Sequence, residues 1–246
     1  MILEFCGLPG AGKTTLEKAL VAALIQHSHQ IRERDQVAVD YIRATIWSGY
    51  SHGATIRRAV TALYKARLLV AAFGSEIRRH NPAGFTKAHL LRCSMRLAED
   101  ICLGEWFATT MQADVIANLS EGMTQHLAAC TAWQQTLRRK SRADDATSPV
   151  PIRHAPHRRV IIHVDVPREV ALERLRRRGV PAYWPRHVPA EEVVDAFARG
   201  LRHALQAQAS CRSVAVLHVD GAISEPGWSA VAVSLARQCL SAEPVL

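Results

Sequence analysis

The residues Gly7-Leu8-Pro9-Gly10-Ala11-Gly12-Lys13-Thr14 have the types and spacing that most directly imply chemistry. They match G-x-x-x-x-G-K-[ST], a pattern that cradles phosphate groups. Glycines at 7, 10 and 12 let the backbone wrap an anion with its N–H groups turned inward. Lys13 reaches the β- and γ-phosphates of a nucleoside triphosphate, and the Thr14 hydroxyl is the expected Mg²⁺ ligand. Ala11 within the loop and Thr15 at the start of the following helix complete the expected nucleotide contacts, at the positive end of the helix dipole.

Further candidates stand where strands are expected to end. Gln36-Val37-Ala38-Val39-Asp40 reads as a second strand closing on an acid, with Arg43 three residues later. Asp40 can accept a proton from an acceptor hydroxyl or help to hold Mg²⁺, while Arg43 can bind an anionic group of the substrate. A helix-capping Asp and a solvated Arg are the alternative. Glu121, after a third strand at Asp114 to Leu119, can bind Mg²⁺ through water, orient the acceptor or act as base. A glutamate in a first helical turn is also favourable electrostatically. Which of the two acids is the base stays open. Arg174 and Arg178 lie one helical turn apart on one face, where two guanidiniums can neutralise a transferring phosphoryl group. The alternative is a solvated helix end whose cations suit the dipole, and Arg176 is the one expected to point away. With Tyr183, Trp184 and Arg186 these arginines define a lid over about 174–188. Asp220-Gly221-Ala222 either passes near a nucleotide base or is plain turn chemistry.

Positioning these residues requires strands that alternate with helices. Ile2 to Cys6 is a short apolar strand, and Leu16, Leu20, Ala23 and Leu24 share one face of the helix after the loop. Two long helices are expected over 54–80 and 84–111, separated by Asn81-Pro82, with Met95, Ile101, Trp106 and Phe107 in the buried face of the second. A further helix runs to about Lys140, and polar, proline-bearing 142–157 reads as a surface loop. Val160 to Val166 is a fourth strand, Pro167 opens a helix that Gly179 closes, and Val193, Phe197, Leu201 and Leu205 mark another helix. Val214 to Val219 is a fifth strand, and 226–240 a last helix. Such alternation implies one α/β domain over 1–246 with a parallel, helix-covered sheet, whose ligands bind beyond the carboxyl ends of the strands.

A chain of 246 residues with 48% apolar content can bury one sizeable core, and no run reaches the roughly 18 apolar residues of a membrane span. The start carries no basic region before the first strand, so a cytoplasmic protein is expected. Six cysteines show no metal spacing and read as reduced core thiols. The +9 net charge suits a protein that handles polyanionic nucleotides. Without aromatic residues interleaved among the arginines, it argues little for nucleic acid.

The stretches GLPGAGKTT at 7–15, Asp40, NLSEG at 118–122 and HVDVPREVALERLRRRG at 163–179 resemble the nucleoside and nucleotide kinase branch of the P-loop proteins. Thymidylate kinases, deoxynucleoside kinases and antibiotic phosphotransferases belong to that branch. The resemblance implies ATP (GTP as the alternative), Mg²⁺ and a five-stranded parallel sheet in the order 2-3-1-4-5, with helices on both faces and an Arg-rich lid. Ser120-Glu121-Gly122 departs from the Asp-Arg of thymidylate kinases and the Glu-Arg-Ser of deoxynucleoside kinases. It is nearer the Asp-Glu-Gly of some bacterial P-loop kinases. The expected activity is γ-phosphoryl transfer to a hydroxyl or phosphate of a small nucleoside-, sugar- or antibiotic-like metabolite. Segment 54–111 would supply the acceptor side, and a second copy of the chain is a candidate partner. A regulatory NTPase working through a protein partner, or a nucleic-acid-directed kinase, is the competing reading. The sequence carries no Asn/Thr-Lys-x-Asp guanine motif to support the former.

Overall fold

The computed structural model describes residues 1–27, 29–46, 115–138, 158–180, 188–209, 213–223 and 227–241, with Cys211 and most of 96–110. Its elements are β1 (Ile2–Gly7), α1 (Lys13–Gln26), β2 (Gln30–Glu33), α2 (Arg34–Ile46), β3 (Val115–Asn118) and α3 (Met123–Arg138). There follow β4 (Arg159–Asp165), α4 (Arg168–Arg178), α5 (Ala190–Ala209), β5 (Val214–Asp220) and α6 (Gly227–Ser241). Helical residues between 96 and 110 precede β3. The five strands pair in parallel in the order β2-β3-β1-β4-β5, as expected.

Strand β1 is buried along its whole length, because helices cover both faces of the sheet. The main core joins Leu3 and Phe5 of β1, Leu16, Leu20 and Leu24 of α1, Ile162 of β4 and Leu175 of α4. Each such side chain contributes about 1.5–3 kcal/mol by leaving water. A second cluster gathers Val37 of α2, Trp106, Phe107 and Leu119 against the β3 side of the sheet. The apolar face expected near 106 is therefore buried there. The remaining expectations for 54–80 and 84–95, the loop 142–157 and the outer lid 181–187 lie outside the described residues.

One element is corrected. Residues 36–40 belong to α2 and not to the second strand, which is Gln30–Glu33. Val37, Ala38 and Val39 are the kind of run that strands favour. Yet Val37 is buried, Val39 is exposed, and Val37 packs with Tyr41 and Ala44, a helical spacing of four and then three. The true strand is a sheet edge with one half-buried apolar residue, Ile31, so its sequence gives no apolar alternation to read. Asp40 consequently ends no strand. It sits seven residues past Glu33 along α2, about 10 Å at the helical rise.

Candidate active site

The glycine-rich loop joins β1 to α1 at the carboxyl edge of the sheet. Gly12 caps α1 with a left-handed backbone (φ 93°), which glycine adopts without strain. At Gly7 the requirement is space, since a Cβ there would lie 2.4 Å from the Val164 carbonyl oxygen of β4. Gln125 of α3 binds Gly7 on both sides: its Oε1 accepts from the Gly7 N–H at 3.0 Å, and its Nε2 donates to the Gly7 carbonyl at 3.2 Å. Trp228 at the start of α6 is buried against Gly12. Thr14 and Thr15 are exposed at the first turn of α1, open to a ligand from the solvent side.

Lys13 is buried and folds back over its own loop, donating to the carbonyls of Gly7 and Leu8 at 3.2 Å each. Its ammonium lies 3.1 Å from a carboxylate oxygen of Glu121. Desolvation works to raise the Glu121 carboxyl, but Lys13, by charge and hydrogen bond, outweighs it with help from His126 and Arg178. The net effect holds Glu121 below the ordinary carboxylate value, as an anion. Its turn is built by Ser120, the one described non-glycine residue at positive φ (54°). The Ser120 carbonyl accepts from Phe5 and Gly122 N–H groups at 2.8 Å each, which prolongs the β1–β3 ladder into the turn.

The acid that ends β2 is Glu33. Register places it abreast of Asn118, the last residue of β3. Asn118 is buried, and both its amide donors and its oxygen are engaged. Nδ2 donates at 2.9 Å to Glu33 Oε2 and at 2.9 Å to Glu17 Oε1 of α1, while Oδ1 accepts from the Ser120 N–H at 3.0 Å. The partners fix this orientation, because carboxylates only accept and a backbone N–H only donates. Ser120 Oγ donates to the other Glu17 oxygen at 3.0 Å. Desolvation raises the Glu33 carboxyl; the Asn118 hydrogen bond opposes, the charges of Glu17 and Asp35 add to the rise, and the balance is upward.

Arg34, directly after Glu33, anchors this strand end to the helix behind it. Its Nη2 lies 2.6 Å from Asp100 Oδ1 and 3.2 Å from Glu99, and His126 Nδ1 is 2.6 Å from the other Asp100 oxygen. Asp100 is fully buried. Desolvation raises its carboxyl, only partly offset by His126 and Arg34.

The arginines of α4 divide by direction. Arg174 lies on the loop, its Nη1 donating to the Gly10 carbonyl at 3.2 Å and to the Gly221 carbonyl at 2.9 Å. It ties the phosphate loop to the turn after β5. Arg178, one turn on, is exposed and close enough for Glu121 to feel its charge. Arg176 and Arg177 pair away from the loop with Glu191 and Glu173. Asp220 caps its own turn through Oδ1 on the Ala222 N–H at 2.8 Å, the turn chemistry.

Of the expected site residues, Lys13, Glu121, Arg174, Arg178 and the loop are thus gathered at one edge. Asp40 lies in α2, and Arg43 falls in the same helix. Glu33, Glu17 and Gln125 were missed: Glu33 ends an edge strand with no apolar alternation, and the partners of Glu17 and Gln125 lie more than a hundred residues away in the chain. Four described cysteines, Cys6, Cys130, Cys211 and Cys239, form no disulfide among the described residues, and three of them are buried. Burial pushes the Cys239 thiol to about 12. Among the described residues no group of three or more His, Cys, Asp or Glu is arranged to hold a metal, and no helix is long and apolar enough to cross a membrane.

No protein-family model matches the chain, and none of the curated proteins matches it. In structure the chain is similar to deoxyadenosine kinase from M. mycoides. The form with bound dATP matches at 13% identity and a TM-score of 0.47, over 98% of this chain and 100% of that one. The form with bound dCTP matches at 12% identity and 0.44, over 99% and 100%. The form with the products dCMP and a flexible dCDP gives 9% and 0.43, over 97% and 100%.

Proposed function

We propose that this protein is a phosphotransferase that moves the γ-phosphoryl group of ATP to a hydroxyl of a small metabolite. One observation carries the reading: the loop bearing Lys13, the anionic Glu121 and the acid Glu33 stand at the carboxyl ends of three neighbouring strands, β1, β3 and β2. A donor site and a proton acceptor on adjacent strand ends are what transfer to an alcohol requires.

Glu33 would take the acceptor proton as the acceptor oxygen bonds to the γ-phosphorus and the bond to the bridging β,γ-oxygen breaks, releasing ADP. A carboxyl raised above its ordinary value is the better base. It is of use only where there is a proton to remove, which favours a hydroxyl over an already ionised phosphate acceptor. Lys13 would exchange Glu121 for phosphate oxygens, and Arg174 and Arg178 would add positive charge on the opposite side of the loop. The donor set fits Mg²⁺, which keeps most of its waters and binds through one or two protein oxygens plus phosphates. Thr14 would hold it, and bound there it neutralises charge between the β- and γ-phosphates.

The test is incubation with ATP, Mg²⁺ and a pooled metabolite extract, followed by mass spectrometry for acceptors heavier by one phosphoryl group. Lys13→Ala should abolish product, and Glu33→Gln should reduce it by about 10²–10⁴-fold. Steady ATP hydrolysis with no phosphorylated acceptor would sink the proposal in favour of a regulatory NTPase.

A further inference from the structure

Glu17 has no part in the loop motif, yet it lies at the centre of the polar contacts on the acceptor side of the loop. It stands on α1 one turn beyond Thr14 and is half-buried. Both its oxygens are engaged: Oε1 accepts from Asn118 Nδ2 at 2.9 Å, and Oε2 from Ser120 Oγ at 3.0 Å. The same Asn118 amide gives its other proton to Glu33 at 2.9 Å. One buried amide thus bridges two carboxylates, one from the phosphate-binding helix and one from the end of β2.

We propose that Glu17 is a positioning residue for phosphoryl transfer: through the Asn118 amide it orients Glu33, and through the Ser120 hydroxyl it fixes the turn that presents Glu121 to Lys13. The inference rests on the reading of Glu33 as the base. Two geometric facts support it. Asn118 uses both its N–H donors and its oxygen, so the amide cannot rotate without breaking the Glu33 contact. Ser120 holds a left-handed backbone that a serine does not favour, and the Glu17 bond is one of the contacts that stabilise it there.

A second consequence is electrostatic. Among the described residues, the groups that shift Glu33 are Glu17 from α1, Asp35 from α2 and the Asn118 amide from β3, while the neighbouring Arg34 is paired with Glu99 and Asp100. A carboxylate fixed on the far side of the shared amide keeps its neighbour basic, as like charges do. Because α1 begins at the phosphate loop, displacement of that helix would be transmitted to the base through this bridge.

The experiment compares Glu17→Gln with wild type in the ATP- and acceptor-dependent reaction over pH, with ¹³C-carboxyl NMR of glutamate-labelled protein. Glutamine keeps the size and one acceptor but removes the charge. The acid limb of kcat/KM should move to lower pH, the Glu33 carboxyl resonance should titrate lower with it, and kcat should fall by about tenfold, well short of the roughly 10²–10⁴-fold expected for Glu33→Gln. Ser120→Ala placed on Glu17→Gln should add less than it does alone, since the two share one contact. Thermal unfolding of each variant identifies a loss that is merely one of folding. If neither the NMR titration nor the pH limb moves in a folded Glu17→Gln protein, the proposal is overturned. If the resonance moves while the kinetic limb stays, the pairing stands but Glu33 is not the base, which overturns the catalytic role of Glu17 as well.

Discussion

Gly122 is where the candidate site meets the core, and Gly122→Ala is a sharp test of how the two fit. Its φ is not positive, so the issue is space alone. An added Cβ would lie 2.5 Å from Glu4 Cγ, 2.6 Å from Cδ and 3.0 Å from Oε2, about 1 Å inside ordinary contact for the first two. Glu4 cannot yield by swinging into solvent. It is fully buried on β1, its Oε2 accepts from the Thr124 N–H at 3.2 Å and hydroxyl at 3.1 Å, and its Oε1 lies 3.1 Å from Arg159 Nη1. Two routes of relief exist. Pushing the 120–122 turn outward is overpacking, at about 1–3 kcal/mol. Separating Glu4 from Arg159 costs about 3–5 kcal/mol, because one buried charge loses its partner. The turn should move, for about 2–3 kcal/mol, lowering Tm by roughly 4–12 °C in a chain of this size. Calorimetry of Gly122→Ala, Glu4→Gln and the double variant checks the assignment, and the double variant should lose less than the sum. The moved turn carries Glu121, so kcat should fall with Tm. A Tm within about 1 °C of wild type would refute the reasoning, since nothing flexible is available to absorb the contact.

Three other perturbations have defined outcomes. Gln125→Ala leaves the buried Gly7 N–H without its 3.0 Å acceptor, at about 1–3 kcal/mol, and denaturant unfolding should show the loss together with weaker ATP binding. Arg174→Ala removes the ties to the Gly10 and Gly221 carbonyls; hydrogen bonds from a charged group at about 1.5–3 kcal/mol predict ATP binding weaker by roughly ten- to a hundredfold in calorimetric titration. Glu33→Gln should make the protein more stable at neutral pH while disabling it. The folded-state value of Glu33 is raised, so its favourable contribution is complete below the unfolded value and is lost as pH rises through the folded one. Denaturation midpoints of variant and wild type should therefore coincide in acid and separate as pH rises.

The glycine-rich loop was legible because it is local: eight consecutive residues form it and carry Lys13 and Thr14. The sheet was legible where strands are central, since β1, β3 and β4 are mostly apolar and buried over most of their length. Strand β2 failed for the same physical reason. As a four-residue edge strand it carries three exposed residues and only Ile31 to pack, while the β-branched run after it is held in α2 by the burial of Val37 beside Tyr41. The misplaced strand then displaced the acid, so that Asp40 was credited with the position that Glu33 occupies. Glu17 and Gln125 were invisible for a different reason. Their partners, Asn118 and Gly7, lie 101 and 118 residues away, and such contacts are settled by register rather than by neighbourhood in the chain.

The same register fixes the turn at which the sequence departs from the patterns it resembles. Ser120, Glu121 and Gly122 each answer to a different element: Ser120 to Glu17 of α1, Glu121 to Lys13 of the loop, and Gly122 to the buried Glu4 of β1. With the Glu4 carboxylate held by Arg159 and Thr124 under the turn, a Cβ at 122 would crowd Glu4, so glycine is the residue that fits there without displacing the turn. On the α4 side, Arg174 reaches the loop and Arg178 lies close enough for Glu121 to feel its charge, while Arg176 and Arg177 pair elsewhere. On the proposed reading, Arg174 and Arg178 would supply positive charge from the α4 side of the loop. That leaves the β2–β3 side acidic, with Glu17, Glu33 and Glu121 together, a polarity suited to taking a proton from an uncharged acceptor and ill suited to docking a second phosphate.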